Sequence, residues 1–173
     1  MKKNTLVDFA IFAMLGTIMF VSKLIMEFLP NVHPIAMFIA VFTLVYGVKA
    51  LVPMYVFVFL VGVYAGFNLW WIPYLYIWTI LWGLVMIIPK RFSLKKKAVF
   101  ASIACAMHGI LFGTLYAPLQ ALMYHMNFQA TLAWIAAGLP WDFAHMCGNI
   151  VMSTLIYPLC KALYALENKR SRL

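Results

Sequence analysis

The sequence predicts an all-α integral membrane protein with six transmembrane helices and with both termini in the cytoplasm. The composition, the spacing of the apolar runs and the placement of the basic residues support this prediction. Hydrophobic residues make up 66% of the chain and charged residues 10%, whereas about 25% of the residues of a soluble domain are charged. A chain of 173 residues has too small an interior to hide so much apolar surface from water. We therefore expect a single membrane domain over residues 1–173.

Six apolar runs are the predicted helices. They cover residues 5–29, 35–47, 53–66, 69–88, 98–124 and 140–163. A spanning helix needs about 20 mostly apolar residues, so the second and third runs are short and should lie shallow or tilted. The first run is too long for a signal-peptide core and is expected to be retained. A further apolar stretch, at residues 128–139, is too short to span by itself.

The basic residues decide between six spans and five. If residues 35–66 formed one long helix, the basic loop at residues 90–97 and the basic C-terminus would lie on opposite sides of the membrane. Two helices in this region place every Lys and Arg except Lys23 on one side. Because cytoplasmic loops are enriched in basic residues, six spans are preferred, with Lys49 and both termini inside.

The residues present disfavour several functions. The net charge of +9 is confined to loops and termini, which suits an anionic lipid leaflet better than nucleic acid. Cys105, Cys147 and Cys160 have neither paired nor metal-like spacing. No ATP-binding Gly-x-x-x-x-Gly-Lys-Ser/Thr loop is present, so uphill transport would need energy from a partner. We expect no cofactor and no metal.

The most distinctive segment is Gly138-Leu-Pro-Trp-Asp142-Phe-Ala-His145-Met-Cys-Gly-Asn149. Asp142, His145 and Asn149 share one helix face, and Pro140 suits the first turn of a helix. Polar groups inside a bilayer are costly and usually face a cavity or a partner helix. These residues could form a helix cap with interhelical hydrogen bonds, one wall of a substrate pocket or a catalytic group.

Two aromatic segments lie at the same predicted outer level. Asn68, Trp71, Tyr74 and Trp78 belong to a run that is denser than an interfacial belt needs. Their rings could pack against the protein or stack on a flat ligand. Tyr116, Gln120 and Tyr124 share one face of the fifth helix, where Pro118 is expected to produce a kink. His108, deeper in the membrane, is interpreted as an interhelical hydrogen-bond donor.

The first helix carries a stripe of small residues and one ion pair. Ala10, Ala13, Gly16 and Thr17 would allow a helix of this chain or of another subunit to approach closely. Lys23 lies near the outer surface, where its amine can reach the interface. Glu27, four residues later, is expected to pair with it, although a role in contacting a ligand is an alternative.

These features resemble the substrate-binding (S) components of energy-coupling factor transporters, small six-helix proteins of bacteria and archaea. The length, the six-span layout and the basic loop after the fourth helix agree over the whole chain. The sixth helix begins with a motif similar to the Gly-x-Pro-Phe-Asp-x-x-His-x-x-x-Asn of several subfamilies. The first helix resembles the docking helix of the family, although Ala13-x-x-x-Thr17 stands in place of Ala-x-x-x-Ala.

The resemblance implies a non-catalytic subunit of the plasma membrane that captures a vitamin or related micronutrient at its outer face. It would then join a coupling transmembrane subunit and two ATPase subunits, and ATP hydrolysis would topple it to deliver the ligand. The small residues of the first helix would dock the partner. The candidate substrate-binding residues are Asn68, Trp71, Tyr74, Trp78, Tyr116, Gln120, Tyr124, Trp141, Asp142, His145 and Asn149.

The ligand is left open by the sequence. The tryptophan-rich fourth helix favours a planar heterocycle, and cobalamin or another bulky ligand is preferred over folate, a thiamine or pyridoxine precursor and a queuosine precursor. An autonomous small transporter or channel is the alternative function, followed by an intramembrane enzyme.

Overall fold

The computed structural model describes residues 5–29 and 31–170, and within them it is all-helical, as predicted. Lys2, Lys3 and Arg172, which contribute to the predicted basic termini, lie outside the described residues. The α-helices are α1 (Thr5–Ile25), α2 (Ile35–Tyr46), α3 (Leu51–Ala65), α4 (Tyr74–Met86), α5 (Leu94–Ile110), α6 (Phe112–Met123), α7 (Phe128–Ser153) and α8 (Ile156–Arg170). Short 3-10 helices at Gly47–Ala50 and Leu69–Trp71 precede α3 and α4.

Several of these helical stretches are long and apolar enough to cross a membrane. Leu6–Ile25, Ile35–Ala65 and Leu69–Met86 qualify individually. Two bent pairs qualify when each is taken as one span, α5 with α6 at a bend of 41° and α7 with α8 at a bend of 47°. By length and composition, the described residues therefore contain three to five candidate spans, as expected of a membrane protein.

The backbone turns at Gly47, between α2 and α3. Gly47 has a φ of 59°, in the left-handed region that glycine adopts without steric cost. The ring of Phe12 in α1 contacts Tyr46 at the end of α2, with 5.3 Å between centroids. Further along α1, Phe20 contacts Tyr64 near the end of α3, at 5.7 Å. Helix α1 therefore runs parallel to α3 and antiparallel to α2.

An ionic cluster joins three parts of the chain at one end of the molecule. Asp8, in the first turn of α1, accepts hydrogen bonds from Lys49 Nζ at 3.1 Å and from Arg170 Nη2 at 2.8 Å. Trp82 Nε1, near the end of α4, donates to the Gly47 carbonyl at 3.3 Å. The start of α1, the α2–α3 turn, the end of α4 and the end of α8 therefore lie together.

The predicted fifth helix is two helices. Helix α5 begins at Leu94, because the Ser93 side chain accepts a hydrogen bond from the backbone N–H of Lys96 and caps it. The break falls at Leu111 (φ −96°, ψ 2°). Pro118, the predicted kink, lies inside α6. The predicted position of the kink was therefore wrong. The break lies next to Gly113, whose N–H bonds to Asp142 of α7.

The predicted start of the sixth helix was also wrong. Helix α7 begins at Phe128, where the Asn127 side chain accepts a hydrogen bond from Ala130 N and caps the helix. It includes the stretch at residues 128–139 and continues through Pro140 to Ser153. The chain then bends before α8, which ends at Arg170. Pro140 therefore lies inside a helix rather than in its first turn.

The apolar core is built around α2. Two thirds of its residues are buried, and it packs against α4, α5, α7 and α8. The core continues through Phe57 of α3, Trp78 of α4 and Ile156 of α8, each of which is almost completely buried. Helix α4 also packs against α5, where Trp78 meets His108 in the last turn of α5.

Candidate functional site

A cluster of histidine and aromatic rings lies where α4, α5, α6 and α7 meet the segment before α2. His145 of α7 has ring centroids 5.1 Å from His33 and 5.0 Å from Phe112. His108 of α5 stacks on Trp78 of α4 at 5.3 Å and 30°. We call these five residues the His–Trp cluster. His108 and Trp78 are only 1% exposed and His145 3%, whereas His33 and Phe112 are half-buried.

Several polar atoms of this region have no hydrogen-bond partner among the described residues. They are His33 Nδ1, Trp78 Nε1, His108 Nδ1, His145 Nε2 and Asn149 Oδ1, all buried. More than nine tenths of buried polar groups in proteins have a partner, and each exception calls for an explanation. Burial of one such group without a partner costs about 1–3 kcal/mol. These atoms are therefore available to form hydrogen bonds with a bound molecule.

The hydrogen bond of His108 indicates its tautomer. His108 Nε2 lies 3.1 Å from the carbonyl oxygen of Ile77 in α4. A carbonyl oxygen can only accept, so Nε2 carries the proton and Nδ1 of the neutral ring is an acceptor. The predicted interhelical hydrogen bond of His108 is confirmed, and its second nitrogen remains available in the cluster.

The Asp142 side chain accepts a hydrogen bond in the first turn of α6, just after the break at Leu111. Its two carboxylate oxygens each lie 3.0 Å from the backbone nitrogen of Gly113, in the first turn of α6. The first N–H groups of a helix lack intrahelical partners, and the helix dipole favours a negative charge there. The expected cap of its own helix is therefore wrong, since Asp142 lies in the middle of α7, whereas the expected interhelical hydrogen bond is present and is made to α6.

Asn149 and Gly109 bring α5 close to α7, and Gly113 brings α6 close to α7. Asn149 Nδ2 donates to the Cys105 carbonyl at 2.9 Å. A Cβ on Gly109 would lie 2.8 Å from the Met146 backbone, and a Cβ on Gly113 would lie 2.6 Å from Asp142 Oδ2. Only glycine allows these approaches. The predicted interhelical hydrogen bonding of this helix face is confirmed for Asn149.

An aromatic column leads from the cluster towards the Leu69–Trp71 turn. Tyr74 contacts Trp78 at 5.9 Å and Trp70 at 5.7 Å. The Tyr116 hydroxyl donates to the Trp70 carbonyl at 2.7 Å, and its ring stacks on Trp134 at 6.0 Å. These rings connect the cluster with the end of the molecule opposite the ionic cluster.

The segment before α2 contacts α7 beside the cluster. Asn31 has a φ of 58°, which asparagine tolerates better than most residues, and its Nδ2 lies 3.4 Å from the Trp141 carbonyl. Burial lowers the pKa of His33 to about 4, and the charge of Lys23 acts in the same direction. His33 is therefore a neutral ring at pH 7.

The structure brings about half of the predicted binding residues to one place. Tyr74, Trp78, Tyr116 and His145 belong to the cluster or its aromatic column, and Asp142 and Asn149 are buried on the same face of α7 as His145. Gln120 is half-buried one turn beyond Tyr116 on α6. Asn68, Tyr124 and Trp141 are exposed. The Trp71 indole donates to the Val58 carbonyl at 2.8 Å on the α3 side, away from the cluster.

His33, Phe112 and Trp134 are contacts that the sequence analysis did not single out. His33 lies in the five-residue segment at positions 30–34, between the first two apolar runs. A histidine between such runs, directly before a proline that begins a helix, was the available signal. Phe112 and Trp134 sit in apolar stretches that carry no distinguishing pattern.

The small residues of α1 point in two directions. A Cβ on Gly16 would lie 2.6 Å from Val56 Cγ1 and 2.7 Å from the Pro53 carbonyl, so Gly16 packs against α3. Ala10, Ala13 and Thr17 are exposed.

The predicted pair of Lys23 Nζ and Glu27 Oε1 is present at 3.7 Å.

The arrangement suits binding by hydrogen bonds between aromatic walls. Among the described residues, no group of three or more His, Cys, Asp or Glu side chains is placed to hold a metal ion. Comparison with protein-family models, with curated proteins and with solved structures finds no match to this chain.

Proposed function

We propose that this chain is a six-span membrane protein that captures a small molecule, as the substrate-binding subunit of an energy-coupling factor transporter. It would act in the plasma membrane of a bacterium or archaeon, with both termini in the cytoplasm. The ligand would be a vitamin or related micronutrient, with the chain itself non-catalytic and free of cofactor.

The direction of the helices supports six spans. Helix α1 is parallel to α3 and antiparallel to α2, with Gly47 at the turn. Tyr55 of α3 bonds to the Leu75 carbonyl in α4, while Trp71 before α4 bonds back to Val58, which makes α3 and α4 antiparallel. With α5–α6 and α7–α8 as one span each, both described ends of the chain lie beside Lys49. Basic residues at that end favour the cytoplasmic side.

The observation that carries the proposed binding function is the group of unpartnered polar atoms in the His–Trp cluster. Ligand sites are concave and mostly apolar, with a few polar groups that fix orientation. Here the polar groups are ring nitrogens of three histidines and Trp78 and the amide of Asn149, and the apolar surface is that of Trp78 and Phe112, whose rings contact each other at 5.7 Å. Trp78 lies nine residues after Leu69, so it is about 13 Å deeper along the helix axis than Leu69.

The proposed partners are a coupling transmembrane subunit and two ATPase subunits, in addition to the lipid bilayer; nucleic acid is not among them. Ala10, Ala13 and Thr17 lie on the exposed side of α1, where another helix could approach closely. Gly16 packs against α3 of the same chain, so it is not part of the exposed face that would dock a partner.

The experiment is purification of the chain in detergent, followed by mass spectrometry of any small molecule that copurifies and by calorimetry with that molecule. Tight binding with no chemical change in the ligand supports the proposal. Proteoliposomes that contain the chain alone should show no gradient-driven flux of the ligand. Such flux would instead favour an autonomous transporter or channel, and turnover of the ligand would favour an enzyme.

A further inference from the structure

We infer that a groove along α3, next to the start of α1, binds one phospholipid whose head group carries both a phosphate and a primary ammonium, as phosphatidylethanolamine does. The residues that line the groove are not those of the His–Trp cluster, so the inference does not depend on what that cluster binds. Three observations lead to it: two adjoining cavities, their extent along α3 and the charges at one end.

The groove consists of two cavities on the surface of the described chain. The larger, of about 590 Å³, lies over α3, and its volume is within the roughly 300–1,000 Å³ of ligand clefts. The smaller, of about 170 Å³, lies between the first turns of α1 and the start of α3. Val52 lines both cavities, so they adjoin. The larger cavity is lined by Leu51, Val52, Tyr55, Val56, Phe59 and Leu60.

The larger cavity has the polarity and the length of an acyl-chain site. Apart from Tyr55, its lining residues are Leu, Val and Phe. The Tyr55 hydroxyl is engaged by α4, since it donates to the Leu75 carbonyl at 3.0 Å and lies 2.8 Å from Thr79 Oγ1. From Leu51 to Leu60 the helix advances about 14 Å, close to half of the roughly 30 Å thickness of a hydrocarbon core. The cavity therefore extends over about one leaflet.

The smaller cavity is the charged end of the groove. Asp8 and Lys49 line it together with Phe9, Phe12 and Val52. Lys49 Nζ lies 3.1 Å from Asp8 Oδ2, and the two side chains are 52% and 16% exposed. An ammonium has three donors and a carboxylate about four acceptor positions. Each of the two groups can therefore bind a further partner besides the other.

The balance of charge at this end favours a zwitterionic head group. Asp8 also pairs with Arg170 at 2.8 Å, and Arg170 pairs with Glu167 at 3.2 Å. With Lys49, these two cations and two carboxylates carry no net charge. A purely anionic head group would bring its phosphate close to the Asp8 carboxylate, and the two like charges would repel. A zwitterionic head group can direct its phosphate to Lys49 and its ammonium to Asp8.

The acceptor at Asp8 favours a primary ammonium over a methylated one. A carboxylate can only accept hydrogen bonds, and bonds between ionised donors and acceptors are about twice as strong as neutral ones. The ammonium of phosphatidylethanolamine has N–H groups to donate, whereas that of phosphatidylcholine has none. The two head groups have the same net charge, so a comparison between them isolates this hydrogen bonding.

The test compares lipids that share their acyl chains and differ in head group. Phosphatidylethanolamine, its monomethyl and dimethyl derivatives, phosphatidylcholine and phosphatidylglycerol are each added to the delipidated full chain in detergent. Native mass spectrometry counts the lipids retained, and thermal unfolding reports their binding. Retention should fall along the methylation series by about threefold or more in total. Phosphatidylglycerol should be retained less than phosphatidylethanolamine.

Substitutions at the charged end test the two halves of the head group. Lys49→Gln should weaken phosphatidylethanolamine binding by about threefold, whereas Lys49→Arg, which keeps the charge, should weaken it less. Lys95→Gln is the matched control, because it removes the same charge at an exposed position that lines neither cavity. Asp8→Asn should abolish the preference over phosphatidylcholine and strengthen phosphatidylglycerol binding. A role of Asp8 in folding alone would change neither ratio.

A substitution at the residue shared by both cavities tests the groove itself. Val52→Phe fills part of the groove and should reduce retention of phosphatidylethanolamine by about tenfold. Val99→Phe is the matched control, since Val99 of α5 is exposed and lines neither cavity, and retention should be unchanged. Size-exclusion profiles verify that each variant is folded.

Several outcomes would overturn the inference. Equal retention of phosphatidylethanolamine, phosphatidylcholine and phosphatidylglycerol would contradict the head group, and wild-type retention by a folded Val52→Phe protein would contradict the groove. If Val52→Phe instead breaks an association with a second copy of this chain or with a coupling subunit and leaves lipid retention unchanged, the groove is a protein interface. None of these results bears on capture at the His–Trp cluster, so failure here and failure of the proposed function are distinguishable.

Discussion

Both carboxylate oxygens of Asp142, in the middle of α7, lie 3.0 Å from the backbone nitrogen of Gly113, at the start of α6. Asp142 is 5% exposed, so this contact is an interior one. It joins the helix break in α5–α6 to the helix that carries His145. The position of α6, and with it Phe112 and Tyr116, therefore depends on a side chain 29 residues away.

Removal of this cap should destabilise the protein. Asp142→Ala leaves the Gly113 N–H buried without a partner, which costs about 1–3 kcal/mol, whereas Asp142→Asn keeps an acceptor and should lose less. Gly113→Ala should also destabilise, because its Cβ would lie 2.6 Å from Asp142 Oδ2. Thermal unfolding in detergent measures these changes.

Gly138→Ala is the control for the glycine substitution, since a Cβ there meets nothing within 4 Å. Its stability should be unchanged or raised by up to about 1 kcal/mol, because alanine favours a helix. An Asp142→Ala protein as stable as the wild type would show that the Gly113 N–H does not need this carboxylate.

Substitutions at the buried Gly16 and at the exposed Ala13 of α1 should affect stability and partner binding respectively. Gly16→Val places side-chain atoms against Val56 and the Pro53 carbonyl, and such overpacking costs about 1–3 kcal/mol. Ala13→Val lies on the exposed side of α1 and should leave stability within about 0.5 kcal/mol. Under the proposed function, Ala13→Val should reduce the amount of coupling subunit recovered with the chain.

Co-expression with a coupling module and affinity purification measure this recovery, and unfolding curves report stability. If Ala13→Val assembles as well as the wild type, the exposed face of α1 is not the docking surface. If Gly16→Val unfolds at the wild-type temperature, the close packing of α1 on α3 is wrong.

His33 should make stability depend on pH. Burial lowers the pKa of His33 to about 4 from its ordinary 6.5. The unfolded chain therefore binds a proton between these values that the folded protein does not bind. Stability from this group is complete above about pH 6.5 and falls as the pH is lowered towards 4.

The variant His33→Gln cannot titrate at this position, so its melting temperature should fall less than that of the wild type between about pH 7 and about pH 5. Lys23, His108 and His145, the charged and titratable groups near His33, are the same in both proteins, so the difference reports His33. Equal pH dependence in the two proteins would contradict burial of this ring.

The six-span arrangement predicts which loops are reached from outside the cell. In a cysteine-free background, Asn68→Cys and Gln129→Cys should react with a membrane-impermeant maleimide on intact cells. Arg91→Cys, in the basic loop, should react only after the membrane is permeabilised. All three positions are exposed in the structure, so a lack of labelling would not reflect burial in the protein. Labelling of Arg91→Cys on intact cells would reverse the proposed orientation.

The sequence was most informative where the signal is local. The apolar run predicted as a helix over residues 35–47 is found as α2 (Ile35–Tyr46), and Gly47 at its end has a φ of 59°. The spacing of Asp142, His145 and Asn149 predicted one helix face, and all three are buried on it. Lys23 and Glu27 pair as their i, i+4 spacing indicates.

The rest depends on contacts between distant residues. Local rules placed a kink at Pro118, but the break occurs at Leu111, where Asp142 of another helix bonds to Gly113. Pro140 was expected in a first turn, yet α7 extends a dozen residues before it, and Trp134 in that extension stacks on Tyr116. The segment that carries His33 contacts α7 through the hydrogen bond from Asn31 Nδ2 to the Trp141 carbonyl, and no periodicity in the sequence encodes this contact.

The most direct test of the central claim is ligand binding by His145→Ala. His145 lies between His33 and Phe112 in the His–Trp cluster, whereas His125 is an exposed loop residue, so His125→Ala is the matched control. Calorimetry with the copurified ligand should show at least about a tenfold loss of affinity for His145→Ala and wild-type affinity for His125→Ala. Unchanged affinity in a folded His145→Ala protein would contradict the assignment of the cluster as the binding site.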